Sequence, residues 1–235
     1  MDSVGMPNAV TGKTLIESFW ADIQKLTLGL VRGRDDSLWF GPLELLGFGP
    51  ARVTRTGVEW PIEGGLATRA PGGRLRFEAV NGRLVASVED YEPLLPRALY
   101  VLTQLPVHHL WTRLHLLRVR GRQPAPGVPV DPGRRLGAAA IDACVCLALA
   151  AVIGRRRRGI PVLFGIAAGY HVACWSLSGR TLGGAVMEQR VVAVDGSGLS
   201  AGQAIVRLAL LPLAVVLRRN VQDEIAGTDV IAAIR

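Results

Sequence analysis

The residue most at odds with its surroundings is Asp142, a carboxylate inside the apolar run Leu136–Ile153. On a helix rising 1.5 Å per residue it lies on the order of 10 Å from the start of that run. An ionised carboxylate left alone at such depth in hydrocarbon is costly, so it must be protonated, paired or reached by water. Two partners are available by sequence: Arg135, seven residues earlier on the same helix face, and Arg207 from a later apolar run. Asp142 then has two readings. It binds a cation or carries a proton in a cavity between helices, or it forms a structural ion pair that holds two helices together. Arg134 flanks the same run, and Asp223 follows the Arg218–Arg219 pair, where a solvated or helix-capping carboxylate is the plainer expectation. The candidate ion- or proton-binding residues are thus Arg134, Arg135, Asp142, Arg207 and Asp223.

Other chemistry finds little support. His108, His109 and His115 share one helical stretch, but no carboxylate stands three or four residues from His108 or His115, so a zinc-hydrolase geometry is missing. The pairs Gly64–Gly65 and Gly72–Gly73 lack the Lys-Ser/Thr of a phosphate loop and read as turns. Cys144, Cys146 and Cys174 all lie within apolar runs, where a thiol behaves as a small hydrophobe. No Ser-His-Asp, Cys-His or paired-carboxylate arrangement stands out. The expectation is a protein that is not an enzyme, with no catalytic residue, no metal and no cofactor.

The elements that would position Asp142 are hydrophobic. Leu136–Ile153 runs 18 residues with Asp142 its single charge, and Ile160–Leu177 is equally long with no formal charge beyond the titratable His171. Each approaches the ~20 residues that a helix needs to cross a bilayer. Only a short block holding Arg155–Arg158 separates them, which predicts a hairpin of two spans. A third run, Gln203–Leu217, has 15 residues with Arg207 near its start and Pro212 inside, so it spans, re-enters or lies along the interface. A half-chain of about 100 residues has too little polar surface to bury all three runs in a soluble core. The net charge of +8 gathers at the ends of these runs, which suits a lipid bilayer better than nucleic acid. A multi-pass protein of the cytoplasmic membrane follows, whose few spans call for a homo-oligomer or a membrane partner protein to enclose any pathway. Charge does not fix its orientation, since arginines flank both ends of the hairpin.

Ahead of these runs, Gly121–Gly133 is rich in proline and glycine and reads as a linker. It separates residues 1–120 from a membrane domain over 134–235. The first part is expected to be α+β, a small antiparallel sheet with flanking helices. Apolar residues recur at helical spacing over Thr14–Val31, while Ala51–Trp60, Arg74–Val80 and Arg83–Val88 alternate as strands, the last two joined by the hairpin dipeptide Asn81-Gly82. A second helix is expected over Arg97–Arg120, broken or kinked at Pro106. A sheet closed by a long helix is faintly similar to the end of a helix-grip ligand-binding fold.

The second half carries a more specific pattern. Arg134-Arg135-Leu136-Gly137 through Asp142, then Thr181, Gly183, Arg190-Val191-Val192 and Asp195-Gly196, then Asp223 through Val230 follow in order. Together they resemble the RDD family of bacterial membrane proteins over residues 133–231. Two positions depart from the family pattern: Gln222 stands where histidine is common, and Gly184 where lysine is common. The resemblance implies a membrane location and a small transporter or cation/proton exchange component, although Gln222 disfavours any mechanism using a His-Asp pair. The alternative is a membrane-anchored binding or scaffold protein whose N-terminal domain recruits a partner or apolar ligand.

Overall fold

The computed structural model describes residues 2–6, 8–153, 160–217 and 219–233, except for the side chains of Ile153 and Ile160. The Arg155–Arg158 block and Arg218 lie outside the described residues. The chain divides into two compact units, Met1–Gly121 and Arg122–Arg235.

In the first unit an antiparallel sheet is built in the order β1-β8-β7-β6-β4-β3-β2, with β5 paired to β6. These are β1 (Asp2–Gly5), β2 (Val31–Arg34), β3 (Ser37–Phe40), β4 (Leu43–Phe48), β5 (Arg52–Val53), β6 (Gly57–Gly64), β7 (Arg74–Val80) and β8 (Arg83–Glu89). The expected strand Ala51–Trp60 is instead the β5–β6 hairpin, with Arg52 opposite Glu59. Asn81 and Gly82 both adopt positive φ, 50° and 71°, and close the β7–β8 hairpin as their dipeptide demands. Register shifts at Leu38/Trp39 and Gly47/Phe48 interrupt the ladders that lead to the β2 edge, and the sheet curls.

Helix α1 (Gly12–Leu26) starts at Thr11, whose hydroxyl accepts from the Thr14 N–H, and buries Leu15, Phe19 and Ile23 four residues apart. Phe19 is the centre of the core, with ring centroids 4.8 Å from Trp60, 5.8 Å from Phe77 and 5.4 Å from Trp111. Burial of one such ring contributes about 2–3 kcal/mol. The stretch Arg97–Arg120 divides into α2 (Arg97–Leu102) and α3 (Gln104–Arg120). The break falls at Thr103 rather than at Pro106. That placement puts Pro106 in the first turn of α3, where a missing N–H costs no intrahelical bond.

The second unit contains α4 (Pro132–Ile153), α5 (Ile160–Leu177), α6 (Leu182–Val186), β9 (Gln189–Ala193), α7 (Ala201–Leu217), α8 (Val221–Ala226) and β10 (Thr228–Ala232). Strands β9 and β10 pair antiparallel, with Val191 opposite Val230. The Pro/Gly-rich segment expected as a linker packs within this unit: Pro129 bridges Ile231, and Val130 joins Trp175, Val191, Leu199, Ala204 and Val230 in a small core. Its apolar residues, Val128 and Val130, set amid prolines, give it an edge that β10 can accept.

Among the described residues one helix, over Pro132–Val152, is long and apolar enough to cross a membrane. Little of it is buried, unlike the core helix of a soluble protein. The apolar parts of α5 and α7, Pro161–Leu177 and Ala201–Leu217, are shorter, about 26 Å each at 1.5 Å per residue against ~30 Å of hydrocarbon. Helix α7 continues through Pro212.

Candidate functional site

In the second unit Asp142 and the arginines part company. Asp142, 5% exposed, accepts from the Tyr170 hydroxyl at 2.8 Å and from the Gly183 N–H at 2.8 Å, both through Oδ1. Neither Arg135 nor Arg207 is its partner, so the expected Arg–Asp142 pair is replaced by a tie between three helices. Tyr170 sits on α5 and Gly183 in the first turn of α6, which begins at Thr181, whose hydroxyl accepts from Gly184. The Tyr170 oxygen in turn accepts from the Leu182 N–H at 2.7 Å. A carboxylate at a helix start meets unpaired N–H groups, which favours its position there. Gly183 is required by the same closeness, since a Cβ at that position would run into Ala138 O and lie 2.9 Å from Asp142 Cγ.

Asp223 is the carboxylate that the arginines seek. It is buried, not solvated as expected, because α8 turns it inward against α7. Arg207 pairs with its Oδ1, Thr228 donates to the same oxygen at 2.7 Å, and Gln222 Nε2 donates to Oδ2 at 3.2 Å. Arg207 also donates to the Thr228 hydroxyl at 2.8 Å and lies 5.1 Å from the Trp175 ring centroid. Arg135 stands 3.7 Å from Asp223 and donates to Val230 O at 3.3 Å. Arg134 is elsewhere, donating to Met187 O and Glu188 O past the end of α6. Of the five candidates, then, Arg135, Arg207 and Asp223 form one cluster, while Asp142 and Arg134 hold separate junctions. Arg122, read as part of a linker, donates to Asp229 at 2.5 Å and to the backbone carbonyls of Asp223 and Thr228.

The first unit holds a site that the sequence did not reveal. A cavity of about 260 Å³ opens between the sheet and α3, walled by Ile23, Leu46, Phe48, Ile62 and Leu75. Its polar edge comes from Gln104, His108 and Trp111 on α3 together with Tyr91. Tyr91 is satisfied, its hydroxyl donating to Ala67 O at 2.5 Å, and burial pushes its phenol up to about 12. Burial, reinforced by neighbouring His109, pushes the His108 imidazole below its usual value, so it is neutral at pH 7. Two buried polar atoms on these lining residues, Gln104 Oε1 and Trp111 Nε1, have no hydrogen-bond partner among the described residues. Such orphans are few in folded proteins.

His115 lies in the core rather than at a metal site. It is fully buried, with Nδ1 3.0 Å from Asp22, whose other oxygen accepts from Arg118 Nε at 2.8 Å. Burial alone raises the Asp22 carboxyl, but the bonds from His115 and Arg118 outweigh it and hold the group below its usual range. No group of three or more His, Cys, Asp or Glu side chains suited to a metal occurs among the described residues.

Tyr170, Thr228, Gln104 and Trp111 were not legible as functional. Each is of a type common in helices or strands, and each gains its role from a residue far along the chain. Comparison with family models, with curated proteins and with solved structures gave no match.

Proposed function

We propose that this chain is a membrane-anchored binding protein, with an RDD-type membrane domain and an N-terminal domain that takes a small apolar molecule. The observation that carries the reading is the 260 Å³ apolar cavity with Gln104 Oε1 and Trp111 Nε1 unmet at its edge. At ~30 Å³ per atom-sized unit, water's share of liquid volume, that space holds roughly nine heavy atoms. An aromatic or short-chain ligand with one hydroxyl fits, its body excluding water and its hydroxyl satisfying either orphan. The membrane half then serves as anchor, with α4 and α5 crossing the cytoplasmic membrane as a hairpin and α7 completing the inserted part. Lipid is its first partner, and a homo-oligomer or membrane partner protein is its second.

The test uses 4-iodophenol, whose heavy atom quenches tryptophan at contact. With the full chain in detergent, a saturable quenching component is expected that Trp111→Phe removes and Ala67→Phe, which fills the cavity, weakens about tenfold. Quenching that is linear in concentration and equal in all three proteins rejects the binding reading.

Transport is the second reading. It is favoured by Asp142 lining one cavity with His171, Arg135 and Arg207. Cation-dependent proton flux in everted vesicles, present in wild type and lost in Asp142→Asn at equal membrane abundance, distinguishes it; no flux over a range of cations removes it.

A further inference from the structure

The second unit has a half-open cavity of about 410 Å³ whose polar floor is not matched by its own partners. Two guanidinium groups, Arg135 and Arg207, pair directly with one carboxylate, Asp223, while Asp229 attracts both from farther away. Arg207 is 5% exposed, and its Nε has no hydrogen-bond partner among the described residues. Arg135 Nε is likewise unmet, and among the described residues its remaining fork makes the 3.3 Å bond to Val230 O and the loose 3.7 Å pairing with Asp223. A guanidinium carries five N–H donors in a rigid fork suited to phosphate, so much of this capacity is unused. Arg190 and Arg219 add positive charge to the lining, Arg219 loosely paired with Glu224 at 3.9 Å. The carboxylate that does line the cavity, Asp142, is already engaged by Tyr170 and Gly183.

Acceptors are unmet too. Gln189 and Gln222, both buried and both lining the cavity, have Oε1 atoms without a hydrogen-bond partner among the described residues. Turning the Gln222 amide would set its oxygen against Asp223 Oδ2, where its Nε2 now donates, so the free atom is an acceptor. These unmet groups suit an anion that also carries hydroxyl donors. The cavity walls are apolar, from Leu136 on α4 and Leu211, Ala214 and Val215 on α7. An acyl chain suits them.

We propose that this cavity seats an anionic phospholipid with a hydroxyl-bearing headgroup. Its phosphate lies on Arg135 and Arg207, its headgroup hydroxyls donate to Gln189 and Gln222, and an acyl chain runs between α4 and α7. The proposal rests on the second unit being a membrane domain and is independent of any ligand in the first unit.

The experiment places the full chain in nanodiscs of phosphatidylcholine alone or with phosphatidylglycerol, exchanges it into detergent, and counts retained lipid by mass spectrometry. Phosphatidylglycerol is expected to be retained over phosphatidylcholine, and Arg135→Gln to lower that retention about tenfold or more, the loss of one charge-assisted contact. Arg207→Gln risks misfolding because Asp223 depends on it, so Ala214→Phe, which fills the cavity away from that pairing, is the second variant and abolishes retention. Equal retention of both lipids, or retention unchanged in Arg135→Gln and Ala214→Phe, overturns the site. Soluble glycerophosphate that raises the thermal midpoint in lipid-free detergent as much as phosphatidylglycerol does overturns the lipid as occupant. Membrane fractionation is run alongside: a chain recovered in the soluble fraction overturns the membrane reading, whereas a membrane-bound chain indifferent to phosphatidylglycerol overturns the site alone.

Discussion

Substituting Asp142 separates a structural tie from an ion carrier. The two bonds that hold α5 and α6 to α4 both end on Oδ1, at 2.8 Å from Tyr170 and 2.8 Å from Gly183. Asparagine keeps an oxygen there and can accept both, so Asp142→Asn loses only the charge-assisted part of each bond, about 1 kcal/mol in total. Alanine removes the acceptor and leaves the Gly183 N–H buried, which together costs about 3 kcal/mol. Cys146 provides a local gauge. It is 4% exposed and one turn beyond Asp142, whereas Cys144 is exposed. In a Cys144→Ser, Cys174→Ser background in detergent micelles, labelling of Cys146 by a small apolar maleimide reports opening of the α4 contact. At 1.4 kcal/mol per factor of ten, the expected acceleration is about fivefold for Asp142→Asn and about a hundredfold for Asp142→Ala. Equal acceleration in the two variants refutes the geometric argument. Loss of vesicle flux in Asp142→Asn without that hundredfold opening favours the carrier.

Three further outcomes follow from the same geometry. Asp223→Asn strands the Arg207 guanidinium, whose side chain is only 6% exposed, and is expected to cost about 3–5 kcal/mol in thermal unfolding of the full chain, with Asp223→Leu/Arg207→Met recovering most of it; a double variant no better than the single speaks against the pair. Gly183→Ala drives a methyl into Ala138 O and towards Asp142, so Cys146 labelling accelerates as for about 2 kcal/mol of overpacking; an unchanged rate shows that α6 shifts freely. In the first unit Asp22 is held below its unfolded value of ~3.9, so its stabilisation is complete above that pH and fades as pH falls through the lower folded value. Asp22→Asn is therefore expected to unfold about 2 kcal/mol earlier in urea at pH 7, read by the fluorescence of Trp20, Trp39, Trp60 and Trp111, and the gap to close in acid; a gap undiminished at acid pH contradicts the assignment.

What the sequence revealed was local. The helical spacing of Leu15, Phe19 and Ile23 marks α1, and Asn81-Gly82 marks the β7–β8 turn, because each signal lies within the element that it specifies. Strands β2 to β4 carry no alternating signature for a physical reason: the sheet curls and changes register at Ser37–Phe40 and Leu43–Phe48. Asp35-Asp36, both at positive φ of 50° and 54°, form a turn of the same kind as Asn81-Gly82 but in a dipeptide with a weaker preference for it. The cavity of the first unit was illegible because its lining comes from α1, the sheet and α3, and volume is a property of packing.

The carboxylates make the sharper case. By sequence spacing, Asp142 and Arg135 share a helix face and Asp223 lies at a polar boundary, so pairing Asp142 with arginine was the economical reading. The fold reverses it because α6 starts beside Asp142 and offers N–H donors, while α8 turns Asp223 under α7 beside Arg207. Each carboxylate went to the donors that its neighbours could not otherwise satisfy. One consequence is a surplus of donors: Asp142 is engaged by neutral donors, so Arg135 and Arg207 share Asp223 as their direct partner, with Asp229 already paired to Arg122. That surplus of donors is what the proposed phospholipid site rests on.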